Sequence, residues 1–196
     1  MIILALDTTG PHCSVALWRD GRVLADISER IGRGHAERLG VMVEDALAST
    51  AIAPSGIDRI AVCRGPGSFT GLRVGLAFAL GFALPHGTPV LGLSSPHIAA
   101  STVPGRVAVR IDVRRGELGW AGFEGGRALV PFTVAPVDTV EAALADFAPG
   151  SLLTDPVPSM PAAAALAARL DPADYPPVPL YSRAPDAKLP GGLAPA

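Results

Sequence analysis

The chain has 196 residues, enough for one domain or for two compact lobes with a hydrophobic core. Only 17% of its residues are charged, its net charge is −2, and no basic face is obvious, so another subunit would have to hold most of any nucleic acid. The low charge indicates either an apolar surface that binds a partner or a compositional bias toward Ala, Arg, Gly and Pro.

The first half of the chain predicts three strands followed by alternating helices and strands. Apolar runs rich in β-branched residues predict the strands, and Asp20-Gly21 predicts a hairpin turn between the second and the third. Apolar residues recur at helical spacing from His35 to Thr50, and Pro85 ends a second long helix. The predicted elements are strands over 2–7, 13–18 and 22–28, a helix over 35–50, a strand over 60–63, a helix over 70–84, a strand over 89–94 and a short helix over 97–101.

The second half predicts the same order again, which indicates an internal duplication. Its elements are strands over 107–112, 117–123 and 128–133, a helix over 137–147, a strand over 151–154 and a helix over 160–170. A shift of 105 residues without gaps superimposes five pairs of similar residues. The pairs are Asp7 with Asp112, Ala16 with Ala121, Trp18 with Phe123, Gly21 with Gly126, and Arg22 with Arg127.

The tandem βββαβα order predicts an α/β protein with the actin-like fold of the actin, sugar-kinase and heat-shock ATPase (ASKHA) superfamily. This assignment is an analogy of fold and does not give function. The predicted domains are an N-terminal lobe over 1–104, a smaller C-terminal lobe over 105–170 and a Pro-rich tail over 171–196. We expect the tail to lie over the body and to become disordered toward its end.

The stretch RGPGSFTG at 64–71 begins like a phosphate-binding loop but matches neither standard pattern. The Gly-Lys pair of a Walker A loop is missing, and Thr70 stands where a dinucleotide loop needs its third glycine. LDTTG at 6–10 fits the place of the first phosphate-binding hairpin in ASKHA folds. The alternative is a tight turn without ligand, in which Ser68 or Thr70 caps the next helix. The candidate vestigial nucleotide loops contain Asp7, Thr8, Thr9, Gly65, Gly67, Ser68, Thr70 and Asp112.

The helix that follows this stretch is apolar on more than one side. Gly71, Gly75, Ala79 and Ala83 lie at four-residue intervals, so another backbone can approach that row closely. Leucines form one neighbouring row, and valine and phenylalanine form another. Because a helix that is apolar all round is buried all round, we expect a second protein to cover one side of it.

Neither a metal site nor a catalytic centre is predicted. His35 opens a helix, but Leu39 stands four residues later, where a helical metal site needs its second ligand. The serines lack the pattern of a nucleophile elbow. Asp7 and Asp112, each at the end of a first strand, could face one cleft and serve as base or magnesium anchor, as in the kinases of the superfamily.

The N-terminus and the cysteines favour a cytoplasmic protein. MIILALD lacks the basic start of a signal peptide. The longest uncharged apolar run follows Arg73, ends at Pro85 and is predicted to be too short to cross a bilayer. Cys13 and Cys63 lie in strand-like runs, so we expect buried core thiols rather than a disulfide or a metal site.

Segments along nearly the whole chain resemble the bacterial TsaB (YeaZ) family, and the one that starts at Arg64 is the most specific to it. Two departures stand out: Ser182 replaces a family leucine, and Gly119-Trp120 stands where the family usually has a tyrosine. The chain is also short for the family, with a trimmed second lobe. The matching segments are ILALDTTGPHCSVAL at 3–17, GHAERLGVMVEDALA at 34–48, RGPGSFTGLRVGLAFALGFAL at 64–84, IDVRRGEL at 111–118 and PLYSRAP at 179–185.

This resemblance implies an actin-like subunit of the machinery that makes N6-threonylcarbamoyladenosine at position 37 of ANN-decoding tRNAs. It implies dimerisation with TsaD, which carries the metal and the catalytic site, and it implies that the ATPase TsaE joins the pair. It implies no catalytic residue, metal or cofactor in this chain, ATP or ADP at the complex interface, tRNA contact only through the complex, and a homodimer when the chain is alone.

The partner contact implied by the resemblance maps to the two long helices of the first lobe. Its implied residues are His35, Leu39, Met42, Val43, Ala46, Leu47, Phe69, Leu72, Arg73, Gly75, Leu76 and Ala79.

Other functions remain as alternatives. One is a small actin-fold ATPase or kinase that uses Asp7 and the Gly65–Thr70 loop. A metallopeptidase is a second, although the missing histidine partner of His35 argues against it. A third is a homodimeric scaffold without a role in tRNA modification.

Overall fold

A computed structural model describes residues 1–183, and every predicted element is present with its bounds shifted by no more than three residues. The predicted disorder at the end of the tail lies outside the described residues. The strands are β1 (Ile2–Asp7), β2 (His12–Arg19), β3 (Arg22–Arg30), β4 (Arg59–Cys63), β5 (Val90–Leu93), β6 (Arg106–Asp112), β7 (Glu117–Glu124), β8 (Arg127–Pro136) and β9 (Ser151–Thr154). The helices are α1 (His35–Thr50), α2 (Phe69–Ala83), α3 (Ser95–Ala100), α4 (Val137–Phe147) and α5 (Met160–Ala167).

The first sheet has five strands in the order β3-β2-β1-β4-β5, with β4 parallel to β1 and β5 parallel to β4. α1 and α2 pack on the face that carries Leu4 and Leu6 and form one core with it. The other face, with Ile3 and Ala5, is buried as well. Because both faces are covered, the strand IILALD is apolar without alternation.

The second sheet has four strands in the order β8-β7-β6-β9. α4 packs on the face that carries Ala108 and Trp120. Phe147 of α4 packs directly on Gly122. A Cβ on Gly122 would lie 2.7 Å from two ring atoms of Phe147. A glycine is therefore required at this position for α4 to approach β7.

Each sheet has its second face covered by a helix from the other half of the chain. α3, from the first half, packs on β6 and β7. α5, from the second half, packs on β1, β2 and β4. Arg59 in β4 fixes the end of α5, because its Nη1 donates to the carbonyl oxygens of Ala167 and Leu170, both at 2.8 Å. The predicted domain boundaries remain predictions, and the packing crosses the one at 104.

The two lobes have the predicted actin-like βββαβα order, and the second is the trimmed one. It lacks elements that correspond to α2 and β5 within the described residues. Arg110 lies over the sheet face that the missing helix would cover, where it bonds Glu141 and donates to the Thr154 hydroxyl at 3.3 Å. Leu152 beside it stays 44% exposed.

The duplicated halves differ by one residue in strand register. Asp7 lies opposite Ser14, whereas Asp112 lies opposite Leu118. If the shift of 105 residues applied to both strands, the partner of Asp112 would be the residue one position after Leu118 in β7. In the sheet, Asp7 therefore corresponds to Ile111, and the gapless match between the two acids was wrong by one residue.

One helix in the described part of the chain, Phe69–His86, is long and apolar enough to cross a membrane by length and composition. The uncharged run after Arg73, which was predicted to be too short to cross a bilayer, is only part of this longer stretch, which includes Arg73. Leu72 and Leu76 pack in the core, as in core helices of soluble proteins, which pass the same test. However, only 33% of the stretch is buried, so an apolar side remains uncovered.

Arg59→Ala should lower the free energy of unfolding by about 1–2 kcal/mol, because it leaves two carbonyl oxygens at the end of α5 without their donor. Urea denaturation would measure the change. Arg22→Ala, at an exposed arginine of the same sheet, is the matched control and should change stability by less than about 0.5 kcal/mol. Equal losses in the two variants would contradict the anchoring role of Arg59.

Candidate functional site

An open cleft of about 870 Å³ lies between the two lobes. The first lobe contributes the turn after β1, the start of α1 and the start of α2, and the second lobe contributes the end of β6 and the turn after it. The lining residues are 9–11, 32–37, 66–68, 70, 71, 74, 111–114 and 182.

The turn after β1 is held by hydrogen bonds that point into the protein. The Asp7 carboxylate accepts from the Thr9 N–H at 2.8 Å, and the Thr8 hydroxyl donates to the Gly71 carbonyl at 2.7 Å. The Thr9 carbonyl accepts from the Ser68 N–H at 2.7 Å. Asp7, Thr8 and Thr9 are all buried. Of these three residues, only Thr9 lines the cleft.

The glycines of the 64–71 stretch allow it to pack directly on this turn. A Cβ on Gly67 would lie 2.4 Å from the Thr9 carbonyl oxygen, and one on Gly71 would lie 2.0 Å from the Thr8 carbonyl oxygen. As predicted, Ser68 caps α2, with its hydroxyl oxygen accepting from the Gly71 N–H at 3.3 Å. These glycines therefore serve the contact between two turns of the same chain.

The predicted nucleotide-loop residues divide into two sets. Asp7, Thr8 and Gly65 do not line the cleft, whereas the other five do: Thr9, Gly67, Ser68, Thr70 and Asp112.

Asp7 and Asp112 do not face one cleft, which corrects the expectation that they form a pair. Burial raises the pKa of Asp7 above its usual value, despite the hydrogen bonds from Thr9, which lower it. Asp112 is exposed, lines the cleft and accepts from the Arg114 N–H at 2.7 Å. A buried Asp7 that accepts from the Thr9 N–H and does not line the cleft is poorly placed to act as a base or to hold magnesium there.

The charged groups in the cleft are of both signs. Arg33 and Arg114 line it, and so do Glu37 and Asp112. His35 joins α1 to the first turn, because its Nε2 lies 3.0 Å from the Gly10 carbonyl oxygen. The arrangement offers backbone N–H groups and arginines to an anion, together with carboxylates that would oppose one.

No group of three or more His, Cys, Asp or Glu side chains lies together as a metal site in residues 1–183. Cys13 and Cys63 are buried free thiols, as predicted. Burial raises the pKa of Cys13 to about 11, and burial also raises the pKa of Cys63. Both groups therefore remain thiols at neutral pH, in keeping with a structural role.

Most residues predicted to bind a partner lie in the core of the chain itself, which corrects that prediction. His35 is half-buried, and Phe69 and Arg73 are exposed at the start of α2. The physical reason is that these apolar rows of α1 and α2 meet the first sheet, so they are unavailable to another protein. The buried residues are Leu39, Met42, Val43, Ala46, Leu47, Leu72, Gly75, Leu76 and Ala79.

The opposite sides of α1 and α2 carry apolar residues that the sequence prediction missed. Val41 is 44% exposed and Leu80 is 48% exposed. Phe78 is half-buried beside Gly40 of α1 and stacks on Phe82, with ring centroids 5.9 Å apart. The valine and phenylalanine row beside the glycine row of α2 was the sequence signal for this surface. We call it the outer helix face, and it comprises Gly40, Val41, Val74, Ala77, Phe78, Leu80 and Gly81.

Comparison with known proteins gives matches along most of the chain. A family model described as "TsaD: tRNA N6-adenosine threonylcarbamoyltransferase" matches residues 26–182. The tRNA threonylcarbamoyladenosine biosynthesis protein TsaB of Escherichia coli (strain K12) is 41% identical over 129 residues, which is 63% of this chain. The match spans only 55% of that relative's length.

Two further relatives match nearly end to end. An uncharacterized protein of Mycobacterium tuberculosis is 37% identical over 95% of this chain and 93% of its own length. The solved structure of YeaZ from Pseudomonas aeruginosa is 30% identical, with a TM-score of 0.71, and the match covers 92% of this chain and 99% of that chain. The likeness to YeaZ therefore includes both lobes.

Gly71→Ala should lower the free energy of unfolding by more than about 2 kcal/mol, because its methyl group would overlap the Thr8 carbonyl. Gly81→Ala is the matched control in the same helix: its methyl would meet nothing within 4 Å and should stabilise by about 0.5–1 kcal/mol. Thermal or urea denaturation would compare the two. A tolerated Gly71→Ala would show that the turns are not in close contact.

The stability of the protein should depend on pH through Asp7. The unfolded chain releases the Asp7 proton near its usual pKa of 3.8, whereas the folded protein holds it to higher pH. The free energy of unfolding should therefore fall as pH rises from about 4 through the raised pKa of Asp7.

Asp7→Asn should remove this part of the pH dependence and leave the fold intact at pH 7. Urea denaturation between pH 4 and pH 8 would measure it, with the exposed Asp146→Asn as control. An unchanged slope in Asp7→Asn would show that Asp7 ionises normally in the folded protein.

Proposed function

Because the chain belongs to the TsaB (YeaZ) family, we propose that it is a non-catalytic subunit in the biosynthesis of N6-threonylcarbamoyladenosine at adenosine 37 of ANN-decoding tRNAs. The similarity to the tRNA threonylcarbamoyladenosine biosynthesis protein TsaB of Escherichia coli supports the tRNA-modification role. The observation that carries the proposal is the uncovered outer helix face, which gives a chain of this family a surface for a partner.

We propose a TsaD-like catalytic subunit as that partner, bound to the outer helix face and activated by it. The match of this chain to the TsaD family model supports a related fold on both sides of the interface. The outer helix face combines exposed apolar side chains with the exposed charged residues Glu37, Glu44 and Arg73 of the same two helices. Apolar contact area together with charged groups is typical of specific protein interfaces.

The non-catalytic role rests on the state of Asp7. A kinase or ATPase of this fold would need that carboxylate in the cleft, and here it is buried, with its pKa raised by burial. The cleft wall on the first lobe is instead formed by the turn contact of Gly67 and Gly71. The ATPase alternative therefore lacks its central group.

The remaining members of the assembly follow from the same proposal. A TsaE-like ATPase joins the pair, and ATP or ADP lies at the complex interface rather than in a site of this chain alone. The net charge of −2 fits contact with tRNA mainly through the other subunits. We place the protein in the cytoplasm, where it forms a homodimer through the same face when the partner is absent.

Val41→Arg and Ala77→Arg each place a charge on the outer helix face and should weaken binding to a TsaD-like protein by about tenfold or more. Sizing chromatography and titration calorimetry would measure binding, and tRNA modification in the reconstituted mixture would fall in parallel. Val23→Arg is the matched control, because Val23 is 49% exposed on the edge of the first sheet. It should bind and activate like the unsubstituted chain.

Two outcomes would contradict the proposal. One is a chain that forms no complex with the TsaD-like protein or does not raise its tRNA modification. The other is ATP turnover by the chain alone that Asp7→Asn abolishes, which would favour the ATPase alternative.

A further inference from the structure

Residues 175–183 form an extended segment, here called the strap, that crosses from the first lobe to the second. It starts beside β5, where the Gly92 N–H donates to the Tyr175 carbonyl at 2.9 Å. It then passes the end of β4, where the Leu180 N–H donates to the Arg64 carbonyl at 2.8 Å. The strap is therefore joined to the first lobe by backbone hydrogen bonds at two places.

Two glycines of the first lobe make room for the strap. A Cβ on Gly92 would lie 2.7 Å from the Pro176 carbonyl oxygen. A Cβ on Gly65 would lie 2.6 Å from the Leu180 carbonyl oxygen, and Gly65 also has a φ of +102°. A larger residue at either position would push the backbone of the strap away. The first lobe is thus shaped to receive this segment.

At its far end the strap meets a strained turn of the second lobe. Arg114, Arg115 and Gly116, between β6 and β7, have φ values of +66°, +58° and +75°. Two consecutive residues other than glycine in the left-handed region are unfavourable unless their surroundings hold them there. Arg114 also lines the cleft, so this turn is part of its wall.

Arg183 holds that turn. Its Nη2 donates to the Arg114 carbonyl and to the Glu117 carboxylate, both at 2.7 Å. The side chains of Arg183 and Glu117 are 27% and 39% exposed, so water screens the ion pair only in part. One guanidinium of the strap therefore restrains both the backbone of the strained turn and the strand that follows it.

The strap also holds the start of α2. The Tyr181 hydroxyl accepts from Arg73 Nε at 3.2 Å, and the Tyr181 and Phe69 ring centroids are 5.3 Å apart. Arg73 in turn stacks on Phe69, with its guanidinium carbon 3.7 Å from the ring centroid. Ser182, between the two contact points, lines the cleft. The strap thus spans the cleft from α2 on one lobe to the strained turn on the other.

We propose that the strap acts as a latch between the lobes. The Arg183–Glu117 ion pair is the contact that closes the latch, and the strained turn is the element that this pair restrains. When the pair opens, residues 114–116 leave the left-handed conformation and the cleft widens. The width of the cleft is thereby linked to the first turn of α2 through Tyr181 and Arg73. This inference goes beyond the proposed function and does not depend on it.

Spin labels on cysteines introduced at the exposed positions Ala48 of α1 and Ala142 of α4 would report the distance between the lobes. Arg183→Ala should shift the distance distribution to longer values and broaden it. Amide hydrogen exchange in residues 113–116 should become about two- to fivefold faster, the range expected for loss of a partly exposed ion pair.

Two further variants separate the latch from a general loss of structure. Arg127→Ala removes an exposed arginine of the same lobe and should leave distance and exchange unchanged. The double change Arg183→Glu with Glu117→Arg restores the ion pair but not the hydrogen bond to the Arg114 carbonyl, so it should return the distribution part of the way toward that of the unsubstituted chain. Unchanged distance and exchange in Arg183→Ala would overturn the proposal, and so would equal shifts in Arg127→Ala.

Discussion

The contact between two backbone turns, residues 8–9 and residues 67–71, determines much of the first lobe. The Thr8 carbonyl occupies the space where a side chain on Gly71 would begin, so α2 starts directly against the end of β1. Ser68 is bonded to the same turn through its N–H and caps α2 with its hydroxyl. α2 therefore has a fixed start, and its direction over the first sheet follows from it.

The buried acid and the uncovered helix side are both consequences of that contact. With the 64–71 stretch packed on it, the turn after β1 directs Asp7 into the protein, where burial favours the neutral carboxyl. The same packing commits Gly75 and Ala79 to the core and leaves Ala77 and Gly81 in solvent. One set of glycines thus keeps the Asp7 side chain out of the cleft and leaves one side of α2 exposed.

The elements could be predicted from sequence because their periodicities are distinct, as in the helical spacing of Leu39, Met42 and Leu47 in α1. The side of α2 that meets the sheet could not, because a helix with apolar rows all round gives no preference. The one-residue offset between Asp7 and Asp112 could not be predicted either. Their match rested on residue identity, whereas the register of a strand is set by its pairing with the neighbouring strand. The tail was expected to lie over the body, as residues 175–183 do, but the contacts of Arg183 could not be predicted because its partners are more than sixty residues away in the chain.

The exchange of helices between the lobes sets an order for folding during synthesis. The face of the first sheet with Ile3 and Ala5 is covered by α5, which begins at Met160. When the ribosome has finished the first lobe, that apolar face still has no helix to cover it. The first lobe therefore completes its core only after most of the second has been made, and until then it exposes a surface that chaperones recognise.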